Sequence, residues 1–542
     1  MKSVKINGKE YFVDRNITIL EFAKEQGIDI PSLCYHEDTT TKNHCGLCVV
    51  SINGKIEYSC ITTLEDGMDI ITDSEELFNV RQDNLKKIID NHLLECDDCV
   101  WFQNCKLLGF AKKFNLNLTS KRKAEDQIFQ VDSIVFDQTK CIGCGNCIDV
   151  CPTGFLKLNE RGKIELSSET NCINCGQCIL HCPVGTIEGV GEFESLEKIF
   201  KNKTTVAQFA PAIRTSIGEE FGMDAGSVVT DKLVAALKQV GFDYVFDTAV
   251  GADFTTIEES EELIDRLKNK TNLPAFTSCC PAWVKLIETN YPQFLPNLCS
   301  VKPPQIILGE IIKKFWNKDA FVVSIMPCTA KKSEIKREEF KGAVDMVLTT
   351  RELTRLFKKH KIDLKNIDGQ EIDSFLGIPS GAGVIYGSSG GVFESALRTA
   401  HFNLTGEELE DIKEIRGMSG IKEKEIKIGD NIIRLCIVNG INNAIKVLDD
   451  PNKYDAIEVM ACPGGCIGGG GQPLPSNKNI IRKRAQGLYN IDKGKDFRQA
   501  HNNPIVREIY GKIDNPKEFF HTTYKKREKD IIYKLKNSKE TL

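Results

Sequence analysis

No stretch of this sequence approaches about 18 consecutive apolar residues, so nothing in it reads as a membrane-spanning helix. Neither sign of charge dominates. Lys and Arg number 71 against 76 Asp and Glu, a net charge of −5, which provides no electrostatic basis for binding nucleic acid or a membrane surface. The opening MKSVKINGKEYFV alternates like a strand and lacks the long apolar stretch of a signal peptide. The Gly-rich GIPSGAGVIYGSSGGVF fits neither GxGxxG nor the P-loop, which leaves nucleotide binding without a motif. These exclusions point to a cytoplasmic protein of 542 residues, long enough for several domains, whose partners are small molecules or protein redox carriers.

Cysteine, by contrast, is abundant: there are 22, and most fall in clustered spacings. In a reducing compartment such clusters bind metal far more often than they form disulfides. The segment 1–78 carries two hairpin signals, Asn7-Gly8 and Asn53-Gly54, each between alternating runs. Thr18 and Glu21 form a capping box for a helix through Lys24, which Gly27 is placed to close. Around these elements lie Cys34, Cys45, Cys48 and Cys60. Four thiolates from loops and strand ends suit a [2Fe–2S] cluster, with zinc as the alternative.

Segment 79–125 holds His92, Cys96, Cys99 and Cys105, with His92 and Cys96 spaced to share a helix face. Segment 126–200 contains Cys141, Cys144, Cys147 and Cys151-Pro152, repeated 31 residues later as Cys172, Cys175, Cys178 and Cys182-Pro183. This is the two-cluster ferredoxin run, in which the fourth Cys of each motif ligates the other cluster. Cys141, Cys144, Cys147 and Cys182 are thus expected around one [4Fe–4S] cluster, and Cys172, Cys175, Cys178 and Cys151 around the other. The glycines between them let backbone N–H groups approach sulfide.

From residue 201 to 490 the texture changes to short apolar runs alternating with helical stretches, an α/β pattern with parallel strands. Three such runs end in AFTSCCP, VVSIMPC and IEVMACPGGC, placing Cys280, Cys328, Cys462 and Cys466 where open α/β sheets bind ligands. Neighbouring side chains on an extended segment point opposite ways, so Cys279 and Cys280 are not both expected to ligate one cluster. Gly464, Gly465 and Gly468 to Gly471 are expected to let the backbone approach a bulky cofactor.

These three segments closely resemble the signature motifs of [FeFe]-hydrogenases, and the resemblance runs over nearly the whole chain. It implies a multidomain α+β protein: a β-grasp [2Fe–2S] domain, a His/Cys3 [4Fe–4S] domain, a two-[4Fe–4S] ferredoxin domain, and a two-lobed α/β catalytic domain with parallel sheets. Residues 491–542 resemble the short segment closing many members, with an exposed helix or frayed Lys-rich tail after Tyr524. The His92/Cys3 pattern resembles a [4Fe–4S] site of this family and of the NADH dehydrogenase large subunit, a zinc site being the alternative. The implied cofactors are one [2Fe–2S], three [4Fe–4S] and an H-cluster. In the H-cluster, a [4Fe–4S] unit on Cys280, Cys328, Cys462 and Cys466 bridges through Cys466 to a diiron subsite carrying CO, cyanide and azadithiolate. Maturation proteins are implied as partners, and ferredoxin or a similar protein as the carrier exchanging electrons for the interconversion of H2 and protons.

By the same resemblance Cys279 is a free thiol passing protons, Lys331 binds cyanide, and Met326, Met460, Gln305 and Pro211 line the pocket. Glu259, Glu262 and Arg266 match the family's proton route, spaced i, i+3, i+7 on one helix. The sequence departs from the pattern twice. Cys299 stands where a relay Ser is usual, leaving the thiol, neighbouring Ser300 or a water to relay, or Cys299 as plain packing. Ala212 replaces a Ser that helps bind cyanide. Cys436, in RLCIV, reads as core. Two other readings remain: the catalytic subunit of an electron-bifurcating or NAD(P)-linked complex, and a non-enzymatic iron–sulfur scaffold.

Overall fold

The computed structural model describes all residues except 41–42, 93–95, 97–98, 100, 102–104, 118–125, 192, 374–375, 410 and 536–542. The boundary expected at 125–126 and the end of the tail therefore fall outside, or at the edge of, the described residues. The chain forms two compact units: residues 1–171, 177–188 and 531–542 in the first, and 172–176 with 189–530 in the second.

In the first unit both Asn-Gly turns form as expected, with positive φ at Asn7, Gly8, Asn53 and Gly54. They join strands Lys2–Ile6 to Lys9–Val13 and Val49–Ile52 to Lys55–Tyr58. Strand Asp69–Ile71 lies between the hairpins, parallel to the first strand and antiparallel to Val49–Ile52, closing a five-stranded sheet. The capping box on Thr18 and Glu21 opens helix Ile19–Glu25, which buries Ile19, Leu20, Phe22 and Ala23. Helix Glu75–Ile89 ends before His92, so the helix-face spacing inferred for His92 and Cys96 does not apply. The same helix runs across the boundary expected at 78–79, so the chain does not break there.

In the second unit one sheet is wholly parallel, in the order Tyr244–Asp247, Thr205–Phe209, Phe321–Met326, Met346–Thr349. Its inner strands are mostly apolar and buried almost throughout, as expected of parallel strands covered on both faces. The other sheet runs Ala275–Phe276, Ala456–Met460, Asn431–Asn439, Ile421–Ile428. Its first three strands are parallel and the last antiparallel, a correction to the parallel sheets expected. Ile421–Ile428 is joined to Asn431–Asn439 by a two-residue turn, which permits only antiparallel pairing.

Helix Lys478–Lys493 crosses the boundary expected at 490–491, and Val506, Ile509 and Phe520 of the closing segment enter the main core. Among the described residues, the segment after Tyr524 is not a helix. It runs without regular structure to a short strand, Tyr533–Leu535, which pairs with Ile128–Val131. No helix among the described residues is long and apolar enough to cross a membrane.

Candidate active site

Three strand ends of the second unit converge on one cavity. Ala275–Phe276 leads to Cys279 and Cys280, Phe321–Met326 to Cys328, and Ala456–Met460 to Cys462 and Cys466. The cavity holds roughly 780 Å³ of atom-free space including its mouth, and all five cysteines line it. Cys279 and Cys280 thus border the same space, although they are consecutive. Cys280 is the N-cap of helix Pro281–Asn290; burial raises its thiol pKa, and the nearby backbone N–H groups of Ala461, Trp283 and Ala282 oppose that rise. Burial pushes the thiols of Cys328 and Cys466 up to about 12, and that of Cys462 well above its usual range. Four thiols in so dry a site ionise only if a cation compensates them, which is what an iron cluster supplies. The donor set therefore fits the cluster that the sequence implies.

The glycine tract packs more tightly than expected. A Cβ on Gly469 would lie 2.2 Å from the Pro327 carbonyl, and one on Gly465 (φ 97°) 2.7 Å from the Ser389 nitrogen. These glycines let backbone approach backbone, and Gly465 and Gly469 also border the cavity.

Met326, Met460, Gln305, Pro211, Ala212 and Lys331 also line the cavity. Lys331 Nζ donates to the Cys279 carbonyl at 3.1 Å and to both oxygens of Glu334, at 3.0 and 2.8 Å. Burial opposes its charge, but Glu334 outweighs burial and the ammonium pKa rises. Gln305 donates to the same carboxylate at 2.6 Å, while its own Oε1 is buried without a partner. Glu334 was not singled out from sequence; its place three residues after Lys331 on one helical turn is the signal that could have found it.

Helix Thr248–Asn269 carries Glu259, Glu262 and Arg266. Glu259 is buried and accepts the Tyr386 hydroxyl at 3.0 Å; burial raises its carboxyl to about 8. Tyr386 also lines the cavity and packs near Cys279, a role its Gly-rich segment did not reveal. Burial pushes the Cys279 thiol well up, with the Glu259 charge adding to it. Glu262 pairs with Arg266, which also donates to the carbonyls of Asn297 and Leu298, both at 2.8 Å.

Cys299 is buried beside these groups, but among the described residues its thiol makes no hydrogen bond. It packs with Leu263, Ala275 and Phe393. The hydroxyl on Glu262 comes from Ser300, at 2.9 Å, together with the Ser300 backbone N–H at 3.0 Å. Ser300 Oγ also meets His521 Nδ1 at 2.7 Å, and His521 Nε2 meets Glu258 at 2.8 Å; sequence reasoning missed His521. Cys436 is core, as expected.

The loop Cys172–Gly176 belongs to this unit and packs against the cavity's outer wall. Thr329 donates to the Asn174 carbonyl at 2.6 Å, and Cys175 lies close enough to Cys462 for their charges to interact. In the first unit, Cys34 and Cys45 sulfurs are 3.4 Å apart, and Cys48 is hydrogen-bonded to Cys60. Cys141, Cys144 and Cys147 are all within electrostatic reach of Cys182, the crossing expected of paired motifs. Cys178 stands in helix Gln177–His181, and Cys151 is half-buried just after helix Asn146–Asp149. His92 is buried and donates through Nδ1 to the Lys140 carbonyl at 2.8 Å, which leaves the lone pair of Nε2 available for ligation. The Cys99 N–H donates to the Cys96 carbonyl at 3.2 Å, and Cys99 senses the charge of Cys105.

Residues 203–470 match the family described as iron only hydrogenase large subunit, C-terminal domain, and 478–527 match iron hydrogenase small subunit. Residues 2–75 match a 2Fe-2S iron-sulfur cluster binding domain and 140–186 a 4Fe-4S dicluster domain. The chain is 37% identical to iron hydrogenase 1 of Clostridium pasteurianum, over 97% of this chain and 100% of that protein. It is 38% identical to the NADP-reducing hydrogenase subunit HndD of Solidesulfovibrio fructosivorans, over 98% and 100%. Among solved structures, an apo [FeFe]-hydrogenase HydA1 variant of Chlamydomonas reinhardtii is 37% identical with a TM-score of 0.54, covering 60% of this chain and 94% of that one.

Proposed function

This chain belongs to the [FeFe]-hydrogenase family, and on that premise we propose a role for each group around its cavity. The protein is an H2-metabolising oxidoreductase with accessory iron–sulfur domains. The observation that carries the proposal is the convergence of Cys280, Cys328, Cys462 and Cys466 with Cys279 and Lys331 on one enclosed space. The four thiolates would hold the [4Fe–4S] part of the H-cluster, with Cys466 bridging to the diiron subsite. Bound there, that cofactor supplies the iron at which two protons and two electrons interconvert with H2.

The protein's own groups do the rest. Lys331, kept charged by Glu334, presents an ammonium to an anionic cyanide. The Cys279 thiol, held neutral by burial, keeps a proton at the cavity wall. Glu259, with a carboxyl at about 8, holds a proton at neutral pH and is oriented by Tyr386. Glu262, Arg266 and Ser300 continue the route outward, and Cys299 serves as packing beside it. Apolar Met326, Met460, Pro211 and Ala212 exclude water.

Electrons would pass through clusters on Cys34/Cys45/Cys48/Cys60, His92/Cys96/Cys99/Cys105 and the paired ferredoxin motifs. The Cys172–Gly176 loop lies against the cavity wall, which supports the second motif's cluster as the last carrier. Ferredoxin in the cytoplasm is the proposed partner. The likeness to an NADP-reducing hydrogenase subunit favours a second reading, in which this chain serves an NADP-linked complex.

Infrared spectroscopy of the anaerobically matured protein tests the first reading. Sharp bands of iron-bound CO and cyanide are expected; their absence, with iron enough only for the accessory clusters, would leave an electron-transfer or scaffold protein. H2-driven reduction of ferredoxin by the isolated chain would support the ferredoxin partner. Reduction only in the presence of further subunits would favour the NADP-linked complex.

A further inference from the structure

Outside the cysteine sites, one cluster of metal-ligating side chains stands apart in the first unit. His36 and Asp38 come from the loop after Cys34, and His181 from the end of helix Gln177–His181. One donor atom from each lies within 4.8 Å of the others, and the imidazole rings are 4.2 Å apart. Both rings are partly buried and Asp38 is exposed. The proposed cluster ligands use none of the three.

The hydrogen bonding prepares His181 as a ligand. Its Nδ1 lies 2.7 Å from the Gln177 carbonyl, which only accepts, so Nδ1 carries the proton and Nε2 offers its lone pair. Metal-bound histidines are usually oriented by this kind of bond from the second nitrogen to a carbonyl. His36 is in the other tautomer, with Nδ1 accepting from the Asp38 N–H at 3.2 Å. Binding through its Nε2 requires the proton to move to Nδ1 and that long contact to open.

The two segments are also fastened together. Asn146 Nδ2 donates to the Cys34 carbonyl at 3.0 Å and to the His181 carbonyl at 3.4 Å, and Asp149 accepts the Thr40 N–H at 2.9 Å. Zinc ligands at about 2.0–2.1 Å from the metal stand roughly 3.3 Å from one another in a tetrahedron. The donors, within 4.8 Å of one another, must therefore close by up to about 1.5 Å, a shift that falls mainly to the exposed Asp38 side chain.

We propose that His36, Asp38 and His181 form a binding site for a divalent transition metal of the zinc class. Two imidazoles and one carboxylate suit zinc, and three protein donors leave the fourth position to water. His36 is two residues from Cys34 and His181 is next to Cys182. The ion would thus pin together loops that carry two different proposed clusters, and its charge would favour their reduced forms.

The test uses the anaerobically purified full chain with its iron–sulfur clusters in place, washed with chelator and then given zinc alone. Zinc and iron are counted, and the zinc environment is read by X-ray absorption. One retained zinc per chain is expected, with a nitrogen/oxygen shell at about 2.0–2.1 Å and no sulfur. It should be lost in His181→Gln and bound at least tenfold more weakly in Asp38→Asn, whose exposed side chain leaves the iron count unchanged. A shell containing sulfur at about 2.3 Å would assign the zinc to vacated cysteine sites and overturn the proposal. So would zinc retention equal in the parent and Asp38→Asn proteins.

Discussion

Replacing Glu334 with Gln gives the most direct test of how the cavity is held together. Glu334 is the only carboxylate hydrogen-bonded to Lys331 among the described residues, and the two side chains are 3% and 10% exposed. Removing one partner of a buried pair costs about 3–5 kcal/mol, because the remaining charge is stranded. For a unit of roughly 350 residues, unfolding entropy near 2 cal/mol/K per residue makes 3 kcal/mol equivalent to about 4 °C in Tm.

Lysine can escape part of this penalty by losing its proton. With Glu334 gone, burial is the largest remaining influence on Lys331, opposed only by the weaker pull of Cys328 and Cys279, and its folded pKa is expected to fall below the unfolded value. The loss should then be greatest at low pH and shrink as pH rises toward that unfolded value. Scanning calorimetry of the second unit's transition at about pH 6 and pH 9 measures both effects. Adding Lys331→Met to Glu334→Gln should recover most of the stability, because no unpaired charge is then left buried. It should not restore H2 turnover. A Tm change below about 1 °C, or a double variant weaker than the single one, would refute the reasoning.

Cys279→Ala should keep the iron content and the infrared bands while H2 turnover falls by about 10²-fold or more, because a proton donor is lost and not a ligand. Retained turnover would remove Cys279 from the relay. Ser300→Ala should slow turnover and shift its pH profile, whereas Cys299→Ala changes it little, since of these two neighbours Ser300 hydrogen-bonds to Glu262 and Cys299 does not; the opposite order would return the relay to the thiol. Glu259→Gln concerns stability as well as activity. Its carboxyl is raised from 4.5 to about 8 by burial, so the stability tied to its proton is present below the unfolded pKa and is lost as pH rises through about 8. That shift corresponds to about 5 kcal/mol, so Glu259→Gln should flatten the pH dependence of unfolding and gain on the parent at high pH. Parallel denaturation curves from about pH 5 to 9 would show the carboxyl to be ordinary.

Features encoded within a few residues were legible from sequence. The Asn-Gly turns and the Thr18–Glu21 capping box depend on local backbone geometry, and each formed where expected. The placing of Cys280, Cys328 and Cys462 beyond strand ends was also legible, because apolar strands followed by Gly and Pro mark it. Assembly over long range was not. Glu334 beneath Lys331, Tyr386 on Glu259, and Ser300 with His521 on Glu262 depend on which loops two separate sheets bring together. The glycine tract showed close approach by its composition, but only tertiary packing named the Pro327 carbonyl as one of its neighbours. Ligand spacing is a property of short peptide geometry, and so it survives in the sequence. The partners of a buried charge are chosen by the need to satisfy it inside the folded core, and so only the tertiary structure names them.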